Sequence, residues 1–224
     1  MAQIAGKVLR VVGPVVEIEE VSRLRMLDMV EVGEQHLIGE VVRLKQDRAY
    51  VQVYEDTTSV KAGDLVYTEG MPLYVELGPG LIGTIYDGIQ RPLQVISEKE
   101  GVFIGRGVHV HSIYRLKKWH FRPLLSPDAQ VAAGQVIGEV QEASLIVHRI
   151  MVPPGVSGRL VSIAAEGDYS LEEAVAQVEQ DGQLRPLSLL QRWPVRTPRP
   201  YKERLPLSEP LLTGQRVIDT LFPI

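Results

Sequence analysis

The sequence predicts a mainly β protein: a small N-terminal barrel, a connector, and a second β-rich unit ahead of a final helix. Three observations carry that reading. Short strand-like runs recur over residues 1–70 with turn signals between them. Residues 111–190 repeat the texture in two similar halves. Helical spacing closes the chain at residues 209–224.

In the first unit, "KVLRVVGPVVEIE" sets strand-forming residues on both sides of Gly13-Pro14, a turn signal. "HLIGEVVRL" and "RAYVQVYE" follow, joined across Lys45-Gln46-Asp47, and "TTSVKAGDLVYTEG" adds another turn and strand. Strands this short and close together suit a closed barrel, which leaves no exposed edge. Glu55-Asp56 falls in a loop, and "EIEE" (17–20) reads as strand-end surface.

Residues 71–110 read as a connector rich in Gly and Pro. Gly78, Gly80 and Gly83 spell G-x-G-x-x-G. A dinucleotide site needs a long helix after that motif, so that backbone N–H groups face a pyrophosphate. Gly88 and Pro92 allow only a short one, so the stretch reads as a crossing loop. His109 and His111 stand two apart. On a strand they would share a face and could reach one metal, with His120 or Asp87 as further ligands, although no spacing selects either.

Within residues 111–190, "VAAGQVIGEV" and "IAAEGDYSLEEAVAQVE" each place a turn before a strand, with "IMVPPGVSGRLVSI" between them. These phrases resemble the flattened β-sandwich of biotinyl and lipoyl domains, a barrel-sandwich hybrid. Such carriers hold their cofactor on a hairpin-tip lysine. No lysine occurs between Lys118 and Lys202, and the expected tip, "QEASLIVHR", has none. The amide link to a cofactor cannot form there.

Residues 191–224 begin as a basic strap, "RWPVRTPRPYKERLP". Arg192, Arg196, Arg199, Lys202 and Arg204 face a single acid, Glu203. The strap reads as an extended connector whose arginines pair with acidic neighbours, rather than as a phosphate grip. In "EPLLTGQRVIDTLFPI", Thr213 is the expected N-cap and Pro223 the stop. Val217 and Leu221 lie on one face, Ile218 and Phe222 on the next.

Composition narrows the function classes. The 224 residues are 45% hydrophobic and 23% charged, with a formal net charge of -4. A general nucleic-acid binder would show a basic face. With no cysteine, disulfides and thiolate chemistry are excluded. The N-terminus lacks the pattern of a secretory signal. The best apolar run, "ASLIVHRIMV", is broken by His148 and Arg149 and is short of the roughly 18 residues a spanning helix needs. No nucleophile has a base to activate it, and no G-x-x-x-x-G-K-[ST] is present. The expected catalytic, cofactor-binding and metal residues are therefore none.

Two long stretches do carry an identity. "ELGPGLIGTIYDGIQRPL" (76–93) and "WPVRTPRPYKERLPLSEPLLTGQRVIDTLFPI" (193–224) closely resemble the catalytic A subunit of the V/A-type rotary ATPases. "QVYEDTTSVKAGDLVYTEGMPLYVELGPG" resembles its barrel exit. An insertion like 111–190 distinguishes that subunit from the non-catalytic B subunit and the F-type relatives. The resemblance implies an N-terminal barrel (1–70), a connector opening the nucleotide-domain region (71–110), an inserted bulge domain (111–190), and a strap with the first helix of an α/β P-loop domain (191–224). It implies a glycine-rich phosphate loop within on the order of a dozen residues after "TGQRVIDTLFPI". The Walker lysine, the magnesium-binding threonine and the catalytic glutamate would then lie beyond Ile224, leaving this chain inactive alone.

By the same resemblance the parent uses Mg-ATP and couples its hydrolysis or synthesis to proton or sodium transport. The barrel would join a head ring of alternating A and B subunits, and residues 111–190 would meet the peripheral stalk. The location would be cytoplasmic and peripheral to the membrane, with no nucleic acid bound and no direct membrane insertion. The alternative is a free-standing, non-catalytic assembly or binding module.

Overall fold

A computed structural model describes residues 3–21, 23–198 and 208–222. The barrel is built from β1 (Gln3–Val12), β2 (Val15–Glu19), β3 (Asp28–Val32), β4 (Leu37–Lys45), β5 (Arg48–Val53) and β6 (Leu65–Pro72). The strands close in the order β1-β2-β5-β4-β3-β6, antiparallel throughout. Alternation sends one face of each strand inward. Val8, Val16, Ile18, Val30, Val32, Leu37, Val41, Val51 and Val66 form a dry, mostly β-branched core. Register shifts at Val8/Arg10 and Val41/Arg43 bend the long strands, as a ring of only six requires. Both expected hairpins form, across Gly13-Pro14 and across Gln46-Asp47.

The connector carries β7 (Tyr74–Leu77) and α1 (Leu93–Glu100). Pro92 stands at the N-cap of α1, Gly101 ends it, and Ile96 is its buried contact. Then comes the sandwich: β8 (Trp119–Pro123), β9 (Gln130–Val131), β10 (Val136–Ala143), β11 (Ile146–Met151), β12 (Gly158–Ile163), β13 (Gly167–Tyr169), β14 (Ala174–Gln180) and β15 (Gln183–Ser188). One sheet runs β11-β10-β8-β13, the other β15-β14-β12-β9. The two similar halves of the sequence thus become equivalent hairpins, β10–β11 and β14–β15, each at the edge of its own sheet. Phe121, Ile137, Val140, Leu160, Leu171 and Val178 fill the space between the sheets. Gly138 permits that packing: a Cβ there would stand 2.2 Å from the Phe121 ring.

The chain leaves the sandwich through β16 (Gln191–Pro194), which pairs with β7. The last element is α2 (Arg216–Leu221). The sequence places its start at a Thr213 cap. Instead, the Thr213 N–H and hydroxyl both donate to Asp219 Oδ1, at 2.9 and 2.7 Å. Asp219 also accepts the Gly214 N–H at 3.0 Å. That carboxylate closes the preceding loop, and the helix starts later, with Gln215 at the N-cap position. No α2 residue is buried; Val217, Leu221 and Phe222 are all exposed.

Two further expectations are corrected. Glu17 is not strand-end surface. Its carboxylate is nearly covered, and it accepts from Arg10 and Arg48 at 2.9 Å each. His109 and His111 lie in irregular backbone, so the strand geometry that would align them does not apply.

Candidate functional site

Polar residues scattered along the sequence converge where barrel, connector and sandwich meet. The connector folds first on itself. Asp87 accepts the N–H groups of Ile89 and Arg91, at 3.1 and 2.8 Å, and the Arg91 Nε–H at 2.7 Å. This side-chain turn holds Gln90 at φ 62°. In that pose the Gln90 amide meets the Glu76 backbone twice: Oε1 accepts the N–H at 2.6 Å and Nε2 donates to the carbonyl at 2.7 Å. A side chain thus mimics a strand partner for β7.

Arg91 and Glu55 then join the connector to the barrel. Glu55, in the loop after β5, accepts from Arg91 Nη1 at 3.4 Å and from the Gly107 N–H at 2.8 Å. Both ion-pair side chains are only 11% exposed, so solvent screens the pair weakly.

Glu76 is the centre of the neck. Its shielded carboxylate accepts from Arg115 Nη2 at 2.5 Å and lies 3.7 Å from Arg192 Nε. Arg115 enters from the run leading into the sandwich, Arg192 from β16 leaving it. Arg115 Nε also lies 3.1 Å from Glu172 of the sandwich, and Arg192 stacks over Tyr74 at 4.9 Å. Glu31, Tyr74, Glu76, Arg91, His109 and Arg115 help line a cleft of about 230 Å³ here.

The strap fastens back to the barrel. Arg196 Nε and Nη2 bind Glu40 Oε1 and Oε2 at 2.8 and 2.5 Å, a bidentate fork. Tyr54 donates to the same carboxylate at 3.2 Å. Arg196 holds the Glu40 carboxyl below its ordinary range, and burial pushes the Tyr54 phenol up.

Of the residues offered as metal ligands, His109 and His111 both line the cleft, while His120 lies in the sandwich. The His109 ring lies 3.2 Å from the His36 carbonyl, and its edge meets the His36 ring. His120 sits in the sandwich between Asp168 at 2.9 Å and Glu166 at 3.1 Å. Asp87 is committed to its turn. No cluster of three or more His, Cys, Asp or Glu among the described residues is placed to hold a metal. Arg192 and Arg196 pair with acids; Arg199, Lys202, Glu203 and Arg204 lie outside the described residues. The β10–β11 tip is Ser144-Leu145. Both side chains are exposed, and neither offers an amine. The Asp87 turn had a sequence signal, an Asp ahead of glycine and a turn. Glu40 and Glu76 had none, because their partners are distant in sequence.

Comparison with known proteins matches these units one by one. The ATP synthase alpha/beta family beta-barrel domain matches residues 8–70, and the ATP synthase alpha/beta subunit barrel-sandwich domain matches 110–196. The A subunit of the A-type ATP synthase of Hyperthermus butylicus is 54% identical over 224 residues, 99% of this chain. The chain belongs to the ATP synthase alpha/beta family. Within it, similarity to A subunits of A-type ATP synthases extends to that of Pyrococcus horikoshii, 54% identical over 97% of this chain, and to that of Saccharolobus islandicus, 51% identical over 98%. The chain spans 37%, 23% and 37% of those relatives' lengths, respectively. Among the described residues, no helix is long and apolar enough to cross a membrane.

Proposed function

We propose that this chain is the N-terminal, non-catalytic portion of the catalytic A subunit of an A-type ATP synthase. The parent couples ATP synthesis or hydrolysis to proton or sodium movement across a membrane. The barrel joins a ring of alternating A and B subunits, and the insert meets the peripheral stalk. The complex is cytoplasmic and peripheral to the membrane.

The observation that supports this reading most is the pair of ion pairs tying a closed barrel to the connector and to the start of the strap. Arg91–Glu55 fixes the connector and Arg196–Glu40 fixes the strap. A barrel held this way passes load between ring neighbours and the domains that follow, without an open sheet edge to slip. ATP is the parent's substrate, and the glycine loop at 78–83 does not suit its phosphates. The N–H groups of Gly80 and Ile82 already bind the Glu142 carboxylate.

A chimera tests the proposal. This chain replaces the matching 37% of the Hyperthermus butylicus protein. The chimera should assemble with its partner subunits and hydrolyse ATP. A chimera that folds but does not enter the complex would overturn the reading.

A further inference from the structure

The insert is joined to the rest of the chain at two adjacent crossings, one entering through residues 111–118 and one leaving through 189–191. The Glu76–Arg115 pair and the Arg192 contact lie at these crossings. Ile113 and Trp119 pack beside them; a Cβ on Gly80 would meet those side chains at 3.0 and 3.1 Å. Two neighbouring crossings form a hinge line. They hold a domain in place but do not fix its angle.

A separate fastening lies at the end of β10. Glu142 is 5% exposed at its side chain. One of its oxygens, Oε1, accepts the backbone N–H groups of Gly80 at 2.7 Å and Ile82 at 3.2 Å. Two N–H groups of one loop converging on one oxygen form an anion-binding concavity. The other oxygen lies 3.4 Å from His148 Nδ1, on the adjoining strand β11, which orients the carboxylate. Packing on this side is incomplete. A half-open cleft of about 470 Å³ is lined by Leu77, Leu81 and Ile82 of the connector and by Ile146, Ile150 and Leu189 of the insert region, with Leu81 packed on the insert's core beside it. Where water fills the cleft the two sides make no direct dispersion contact, so the polar bond carries more of the fastening there.

We propose that Glu142 is the latch that sets the angle of the insert, and that the insert pivots on its two crossings when the latch opens. The G-x-G-x-x-G loop is then the keeper of the latch: an anion cradle filled by a carboxylate of the same chain. The latch follows from the neck geometry and stands independently of the ATP synthase reading.

The test uses the whole 224-residue chain with Glu142→Ala and Glu142→Met. The sequence has no cysteine, so Lys45→Cys on the barrel and Gln183→Cys on the β14–β15 tip give clean spin-label sites. With Glu142→Ala, amide exchange at Gly80 and Ile82 should accelerate by about tenfold or more, as local opening becomes easier. The distance distribution between the labels should broaden, while amides of Phe121, Val140 and Val51 stay protected. Faster exchange with an unchanged distance distribution would overturn the pivot. No change in either would overturn the latch. If Glu142→Ala loses core protection, Glu142→Met, which keeps the length of the side chain and removes the acceptor oxygens, is judged by the same two readouts.

Discussion

Arg196 binds Glu40 through both carboxylate oxygens across a sequence separation of 156 residues. This contact closes a long loop, linking the strap to the first unit of the chain. The Glu40 side chain is 4% exposed, while Arg196 is 55% exposed, so the acid depends on its partner more than the base does. Replacing Arg196 with Ala leaves a covered carboxylate whose remaining bond among the described residues is to Tyr54. The barrel's thermal midpoint should fall on the order of 5 °C. Glu40→Gln should cost less, and adding Arg196→Ala to it should cost little more. Differential scanning calorimetry of the two single variants and the double variant reads this coupling.

The same pair sets part of the acid limb of stability. Arg196 holds the Glu40 carboxyl below its ordinary pKa of 4.5. A depressed carboxyl contributes fully above its unfolded pKa and loses that contribution as pH falls through the folded value. Glu40→Gln should therefore narrow its deficit against the parent chain between about pH 5 and the acid limit. Urea titrations at a series of pH values test this. A deficit constant across that range would contradict it.

His120 gives the opposite sign. Glu166, first, and Asp168 raise its pKa above 6.5. Its contribution is complete below the unfolded value and is lost as pH rises through the folded one. Proton NMR should show the ring titrating above 6.5, and Glu166→Gln should bring it back towards that value.

Gly138→Ala should destabilise the sandwich and spare the barrel. The new methyl would overlap the Phe121 ring, and overpacking of this kind costs about 1–3 kcal/mol. Denaturation followed by Trp119 fluorescence in a Trp193→Phe background should register the loss. Exchange of the Val51 and Val66 amides in the barrel should not change.

The barrel is legible because its cues are local: alternating apolar residues, Gly13-Pro14, and a polar turn before Arg48. The sandwich is legible from its repeated phrases. What stays hidden depends on long-range pairing. Glu17 resembles surface because the sequence does not show Arg48 beside it. Thr213 is not the N-cap of the final helix: Asp219, six positions on, reaches back to accept its N–H and hydroxyl, and the helix starts after Gln215. His109 and His111 match a metal-ligand spacing, but the backbone there is irregular. Glu142 lies 62 positions from Gly80, beyond any local pattern.

The membership of this chain in an A-type head ring is tested most directly by native mass spectrometry of the chain mixed with the B subunit of an A-type ATP synthase. A stoichiometric complex is the predicted result, and it should be lost when the barrel is removed. No complex at concentrations where the full-length subunits associate would contradict the assignment.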